Sequence, residues 1–149
     1  MRFSIDANVL IYSFEVGSLK NDVANRLMFG AIAADCILTN QCLGEFLNVV
    51  RRRLPERLHA ARAAVEGWSV VFPIAPTTTE HLLAASVLAE RHKLQFWDSV
   101  ILTVAGSAQA EWLLSEDMQD GATIAGVRLL NPFNPDHAEL LDALLTPLI

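Results

Sequence analysis

Short apolar runs alternate with longer amphipathic stretches along almost the whole chain, and this alternation leaves few architectures open. Arg2 to Ile5, Cys36 to Thr39, Ser69 to Phe72, Trp112 to Ser115 and Val127 to Leu130 have the length and apolar content of buried strands. Between them stand segments of helical length: Asn8 to Phe14, Lys20 to Ala33, about Gln41 to Arg53, and Pro55 to about Glu66. Two more follow, one from Thr77-Thr78-Thr79-Glu80, which resembles a capping box, to about His92, and one from Trp97 or Asp98 to Ala108. Pro55 suits a first helical turn and Gly67 a helix end, while Asn131-Pro132-Phe133-Asn134-Pro135 breaks the chain before a short C-terminal helix. Strands that alternate with helices pair in parallel, with the helices lying on the faces of the sheet. The expected fold class is therefore α/β with a central parallel sheet. Strand–helix–strand crossovers are nearly always right-handed, which brings the strand ends at Asp6, Thr39 and Ser115 to one edge.

Residues 1–149 fit one domain, long enough to bury a real core. Hydrophobic residues make up 52% and charged residues 19%, a balance that excludes disorder. Asp6 interrupts the first apolar run, so the start does not have the pattern of a secretory signal. Nothing approaches the roughly 18 consecutive apolar residues of a spanning helix. Cys36 and Cys42 have no partner at metal-ligand spacing and fit two reduced, packed thiols, so a cytoplasmic protein with no membrane association is expected. The formal net charge of −6 argues against a protein that coats nucleic acid through bulk positive charge. It leaves a nuclease open, because a cluster of carboxylates neutralised by divalent ions would supply much of that charge.

Four acids stand where such a fold gathers its strand ends: Asp6, Glu45, Asp98 and Asp117. Ligands bind in the crevice outside the carboxyl ends of parallel strands, and carboxylates converging there repel one another unless a cation lies between them. Asp6 follows Phe3-Ser4-Ile5; it could cap the next helix, but Asn8 is itself a good cap and leaves Asp6 without a structural task. Asp98 heads an apolar stripe, with Ile101, Leu102 and Ala105 at helical spacing. A partly buried carboxylate without a cationic neighbour is costly; a plain first-turn acid favouring the helix dipole is the alternative. Glu45 points away from the Leu43, Phe46, Leu47 and Val50 face, so by periodicity alone it could be an ordinary solvated glutamate. In the loop after Trp112-Leu113-Leu114, Asp117 is the candidate ligand, with Glu116 competing and Asp120 a possible accessory.

Together these segments resemble the PIN domain family. Ser4-Ile5-Asp6-Ala7-Asn8-Val9-Leu10 is similar to its opening motif, and Gln41-Cys42-Leu43-Gly44-Glu45-Phe46 to its glutamate-bearing helix. Phe96-Trp97-Asp98-Ser99-Val100-Ile101 resembles the helix that supplies a third acid, and Leu113-Leu114-Ser115-Glu116-Asp117-Met118 the fourth segment. The ending Arg128-Leu129-Leu130-Asn131-Pro132-Phe133 resembles the last strand of the VapC-type toxin ribonucleases. The resemblance implies a three-layer α/β/α sandwich and an endoribonuclease of a type II toxin–antitoxin pair. In it Asp6, Glu45, Asp98 and Asp117 would be both the metal ligands and the catalytic groups. They would hold one or two Mg²⁺ or Mn²⁺ ions that activate a water for attack on RNA phosphodiester bonds. Asn8 and Ser99, with Asp120 as accessory, would orient a water or a carboxylate. RNA is the implied substrate, an antitoxin protein the implied partner, and a homodimer the expected assembly.

The remaining features weigh less. Arg51-Arg52-Arg53, with Arg57 and Arg62, is the one basic concentration; it fits a solvated helix face or a grip on RNA phosphate. Trp97 beside Asp98 could stack a base, although a packed core aromatic is the expectation. His59, His81, His92 and His137 carry no assigned role. The Leu140-Leu141-x-x-Leu144-Leu145 tail packs either on the body or against a second subunit. Haloacid dehalogenase-type phosphatases would want an aspartate where Asn8 stands, and receiver domains an acidic pair after the first strand, so both fit poorly. A non-catalytic α/β interaction module is the remaining alternative.

Overall fold

The computed structural model describes residues 1–147. Within them the order is β1 (Phe3–Ile5), α1 (Ala7–Phe14), α2 (Asn21–Ala31), β2 (Cys36–Thr39), α3 (Asn40–Arg53), α4 (Leu58–Val71) and β3 (Ile74–Ala75). Then come α5 (Thr79–His92), α6 (Phe96–Ser107), β4 (Trp112–Leu114), β5 (Thr123–Ile124), β6 (Val127–Leu130) and α7 (Ala138–Leu144). The strands form one sheet in the order β3-β2-β1-β4-β6-β5. Every pairing is parallel except that of β5 with β6.

Side-chain alternation along the central strands divides the core in two. Phe3, Ile5, Leu38, Trp112, Leu114 and Leu130 pack beneath α1, α2, α3, α4 and α7. The intervening Leu113 and Leu129 face Ile101 and Leu102 of α6 and Leu88 of α5, on the other side. This is the three-layer α/β/α sandwich, with both faces of the sheet covered as a parallel sheet requires. The apolar tail belongs to the first layer: Leu141 and Leu144 are buried there and Leu140 and Leu145 are packed against them. No helix among the described residues is long and apolar enough to cross a membrane.

The structure departs from the sequence-based expectation in four places. Ser69 to Phe72 is not a strand, because α4 continues through Gly67 to Val71. Ala61, Val65, Trp68 and Phe72 recur at helical spacing and enter the core, where Trp68 meets the Phe46 ring edge-on at 4.9 Å. Val70 and Val71, whose branching favours a strand, face solvent instead. The third strand is only Ile74–Ala75, beyond Pro73. Second, β5 is an added antiparallel edge, turned back by Ala125 and Gly126, both at positive φ (52° and 80°). Third, the α5 cap is displaced by one residue: the Thr78 side chain accepts from the His81 N–H, and His81 Nδ1 accepts from the Thr78 N–H. Fourth, Asp6 and not Asn8 caps α1, for Asp6 Oδ1 accepts the Ala7 N–H at 2.7 Å.

Candidate active site

β1 and β4 run in register from Phe3 beside Trp112 to Ile5 beside Leu114. Asp6 and Ser115 each come one residue later, and their backbone N–H groups continue the ladder to Leu114 O and Leu130 O, both at 2.9 Å. The two side chains therefore emerge together at the carboxyl edge of the sheet. Ser115 Oγ donates to Asp6 Oδ2 at 2.8 Å and accepts the Asp117 N–H at 3.3 Å. Asn8 Nδ2 reaches Asp117 Oδ2 at 3.2 Å. One hydroxyl and one amide thus tie the acid after β1 to the acid after β4.

The other two acids arrive on helices. Glu45 lies in the second turn of α3, and its Oε1 accepts from Gln41 Nε2 at 2.9 Å. The same Nε2 donates to Trp97 O at 2.9 Å, which joins α3 to the first turn of α6 and sets Glu45 beside Asp98. Asp6, Glu45, Asp98 and Asp117 all line one cleft of about 260 Å³, together with Asn8, Tyr12 and Arg53. They share a cleft rather than a single point: among the described residues no three acidic, histidine or cysteine side chains stand at ligand spacing.

The charges in this cleft are held at a cost. Asp6 is 4% exposed. Burial, opposed by the Ser115 and Ala7 hydrogen bonds and reinforced by Glu45 and Asp98, pushes its carboxyl up to about 7. Asp98 is likewise raised, first by burial and then by the negative fields of Glu45 and Asp117. A cation among these carboxylates would relieve the field that raises Asp6 and Asp98. The donor set is all oxygen, the preference of Mg²⁺ and Mn²⁺. Asn8 Oδ1 adds a buried acceptor without a partner at the same place. The residues present therefore fit a hard divalent ion.

Several predicted residues lie elsewhere or do other things. Asp120 does not line the cleft; it accepts from the Asn131 N–H, Asn134 Nδ2 and His137 Nε2, tying the loop after β4 to the segment before α7. Slight burial works against its ionisation, but those three bonds outweigh it and hold the carboxyl below its ordinary value. Ser99 turns its hydroxyl onto Gln95 O at 3.0 Å, away from the acids. Glu116 is occupied by Lys20 Nζ at 2.6 Å and the Tyr12 hydroxyl at 3.1 Å, which leaves Asp117 as the acid of that loop facing the cleft. Of the basic group, Arg53 lines the cleft, Arg51 is held by Asn48 Oδ1 at 3.0 Å, and Arg57 braces the end of α1 through Phe14 O and the Phe14 ring. Trp97 is not a core aromatic: it is 57% exposed. The residues that sequence reasoning missed are Ser115, Gln41 and Tyr12. Only the strand register could have pointed to Ser115, and only the i, i+4 spacing on α3 to Gln41.

Known proteins resemble this chain chiefly in fold. VapC20 of Mycobacterium tuberculosis, described as a sarcin-ricin-loop-cleaving toxin, superposes with a TM-score of 0.66 at 21% identity, covering 77% of this chain and 91% of its own. A toxin–antitoxin complex from Klebsiella pneumoniae gives 0.66 at 21% identity, covering 87% and 97%. FitAcB from Neisseria gonorrhoeae gives 0.63 at 16% identity, covering 89% and 99%. No curated protein sequence matches the chain. The PIN domain model matches residues 4–119, from the first strand to the loop that carries Asp117, and the chain therefore belongs to the PIN domain family.

Proposed function

We propose that this protein is a metal-dependent endoribonuclease that hydrolyses RNA phosphodiester bonds, the toxin of a type II toxin–antitoxin pair. The observation that supports it most is the acidic cleft, where four carboxylates from distant parts of the chain face one another and Asp6 is pushed up to about 7. Asp6, Glu45, Asp98 and Asp117 would hold Mg²⁺ or Mn²⁺, with Asn8 Oδ1 available beside them. Such an ion, when bound, lowers the pKa of a nearby water and neutralises charge developing on the phosphate.

The chain's own residues supply position. Ser115 fixes the Asp6 carboxylate and the backbone of Asp117, and Gln41 fixes Glu45 against the start of α6. Asn8 steadies Asp117 through Nδ2. Arg53, which lines the cleft, would meet an RNA phosphate. The Lys20–Glu116 ion pair holds Tyr12 in the wall, with Lys20 Nζ 5.0 Å from its ring centre.

An antitoxin partner is proposed by similarity to the toxin–antitoxin complex from Klebsiella pneumoniae. Phe29 and Ile32, exposed at the end of α2 and just beyond it, and Leu83 and Val87, exposed on α5, are apolar surface open to an antitoxin segment or a second copy. We assign one PIN-like domain over residues 1–149, acting in the cytoplasm. The test is single-turnover cleavage of a mixed RNA pool with Mg²⁺ or Mn²⁺. Cleavage should stop on chelation and in Asp98→Asn. Cleavage that survives both would refute the proposal, and a well-folded protein that neither cuts RNA nor binds the ions would be a non-catalytic module.

A further inference from the structure

Trp97 stands one residue before Asp98, and its ring is open to solvent while Trp112 is 6% exposed and Trp68 is packed on Phe46. Phe96, also partly exposed, meets it edge-on at 4.9 Å, which supports the indole without covering it. A single exposed aromatic carries no meaning by itself. This one forms part of a structure. It lines a shallow groove with Gln41, Gly44, Glu45 and Asn48, residues at i, i+3, i+4 and i+7 on one face of α3.

Three features of the groove point to an occupant. Glu45 lines both the groove and the acidic cleft, so the two are continuous. Gly44 leaves open space, since a Cβ built there would meet nothing within 4 Å. Two amide side chains flank this space, and Asn48 holds the Arg51 guanidinium at 3.0 Å. A planar apolar face, hydrogen-bonding edges and a cation beside a phosphate-cleaving site are the features of a base-stacking subsite on single-stranded nucleic acid.

We propose that this groove binds the nucleobase adjacent to the scissile phosphate, with Trp97 stacked on the base and Gln41 and Asn48 facing its edge. The inference rests on the ribonuclease function proposed above and adds the single-stranded character of the substrate. Trp97 is then a positioning residue: it sets which phosphate enters the cleft and takes no part in the chemistry.

The test uses the full chain in chelator, so that RNA binds uncut, and follows tryptophan emission while a short single-stranded oligoribonucleotide is added. An abasic oligomer of equal length, which keeps the phosphates and lacks the bases, is the control. The natural oligomer should quench the emission and the abasic one should not. Followed by the anisotropy of a dye-labelled oligomer, because Trp97 is itself the emission probe, Trp97→Ala should weaken binding about tenfold, as loss of one stacked base does. Trp97→Phe should restore most of that binding. Gly44→Leu, which fills the groove with a good helix former, should weaken it as Trp97→Ala does. With Mg²⁺ present, Trp97→Ala should raise KM more than it lowers kcat. Equal binding of natural and abasic oligomers, unchanged in Trp97→Ala while the parent still cleaves RNA, would overturn the subsite and leave the ribonuclease standing. Base-dependent quenching by a protein that cuts no RNA would support the subsite and count against the ribonuclease.

Discussion

Replacing Asp6 with Asn should stabilise the ion-free protein at alkaline pH, although it removes a residue at the centre of the site. Asp6 is buried against Glu45 and Asp98, and its carboxyl is pushed from 3.8 up to about 7. Ionising it in the folded state therefore costs on the order of 4 kcal/mol more than ionising it in the unfolded chain. The folded carboxyl holds its proton more tightly than the unfolded one. Its contribution is fully present below the unfolded value of 3.8 and is lost as pH rises through about 7. Between about pH 5 and pH 8 the parent should lose about 2–3 kcal/mol from this group alone, and Asp98, raised in the same direction, adds to the loss. Asp6→Asn keeps the oxygen that caps Ala7 but turns an N–H toward Ser115 Oγ, a mismatch that costs about 1 kcal/mol. Urea unfolding in chelator, run for both proteins across this pH range, measures the difference. The stability of Asp6→Asn relative to the parent should rise by about 2–3 kcal/mol from pH 5 to pH 8. A divalent ion added at pH 8 should stabilise the parent and leave Asp6→Asn nearly unmoved. A parent whose stability is flat over this range, or a difference that moves the other way, would refute the electrostatic account.

Three further outcomes follow from the same geometry. Ser115→Ala should cost about 1–2 kcal/mol, because the Asp117 N–H and one Asp6 oxygen lose their partner, and it should lower RNA cleavage while urea unfolding stays cooperative. Asp120→Asn should weaken the junction with His137 and lower Tm, fully above the ordinary value of 3.8 and less as pH falls below it, since that carboxyl is held below its ordinary value, while RNA cleavage stays at the parent rate. Gly67→Ala should stabilise the protein by about 0.5–1 kcal/mol in urea unfolding, because Gly67 is inside α4 with open space at its Cβ; a loss of stability would speak against a continuous helix there.

The parts of the fold that were legible beforehand are those where a local pattern and the long-range packing agree. Cys36 to Thr39 and Trp112 to Leu114 are short apolar runs between helices, and parallel pairing on either side of β1 is what such runs require. Right-handed crossovers then bring Asp6 and the Asp117 loop to one edge of the sheet without reference to any side chain. The failures have the opposite character. Val70-Val71-Phe72 has the composition of a strand, but the Ala61, Val65, Trp68 and Phe72 stripe is buried on a helix, and tertiary packing overrides branching. The β5 edge depends on a turn that places an alanine at φ 52°, a conformation its residue type disfavours. Asn8 is itself a good cap and so hides the capping role of Asp6, whose carboxylate serves the α1 N-terminus and the cleft with different oxygens. Ser115 and Tyr12 are hidden because their importance lies in the distant residues they touch, Asp6 and Asp117 for Ser115 and Glu116 for Tyr12, and no spacing along the chain records that.

The central claim is that Asp6, Glu45, Asp98 and Asp117 act together as one cation site. The most direct measurement is a calorimetric Mn²⁺ titration of the parent and of Asp98→Asn, at a pH above 7 where Asp6 is free to ionise. The parent should bind Mn²⁺ there with little proton release, whereas near pH 6 binding should release protons to solvent, because the ion displaces the proton that the raised Asp6 carboxyl still holds. Asp98→Asn should bind far more weakly while its unfolding remains cooperative. Equal Mn²⁺ affinity in the two proteins, or no binding by a folded parent, would contradict the claim.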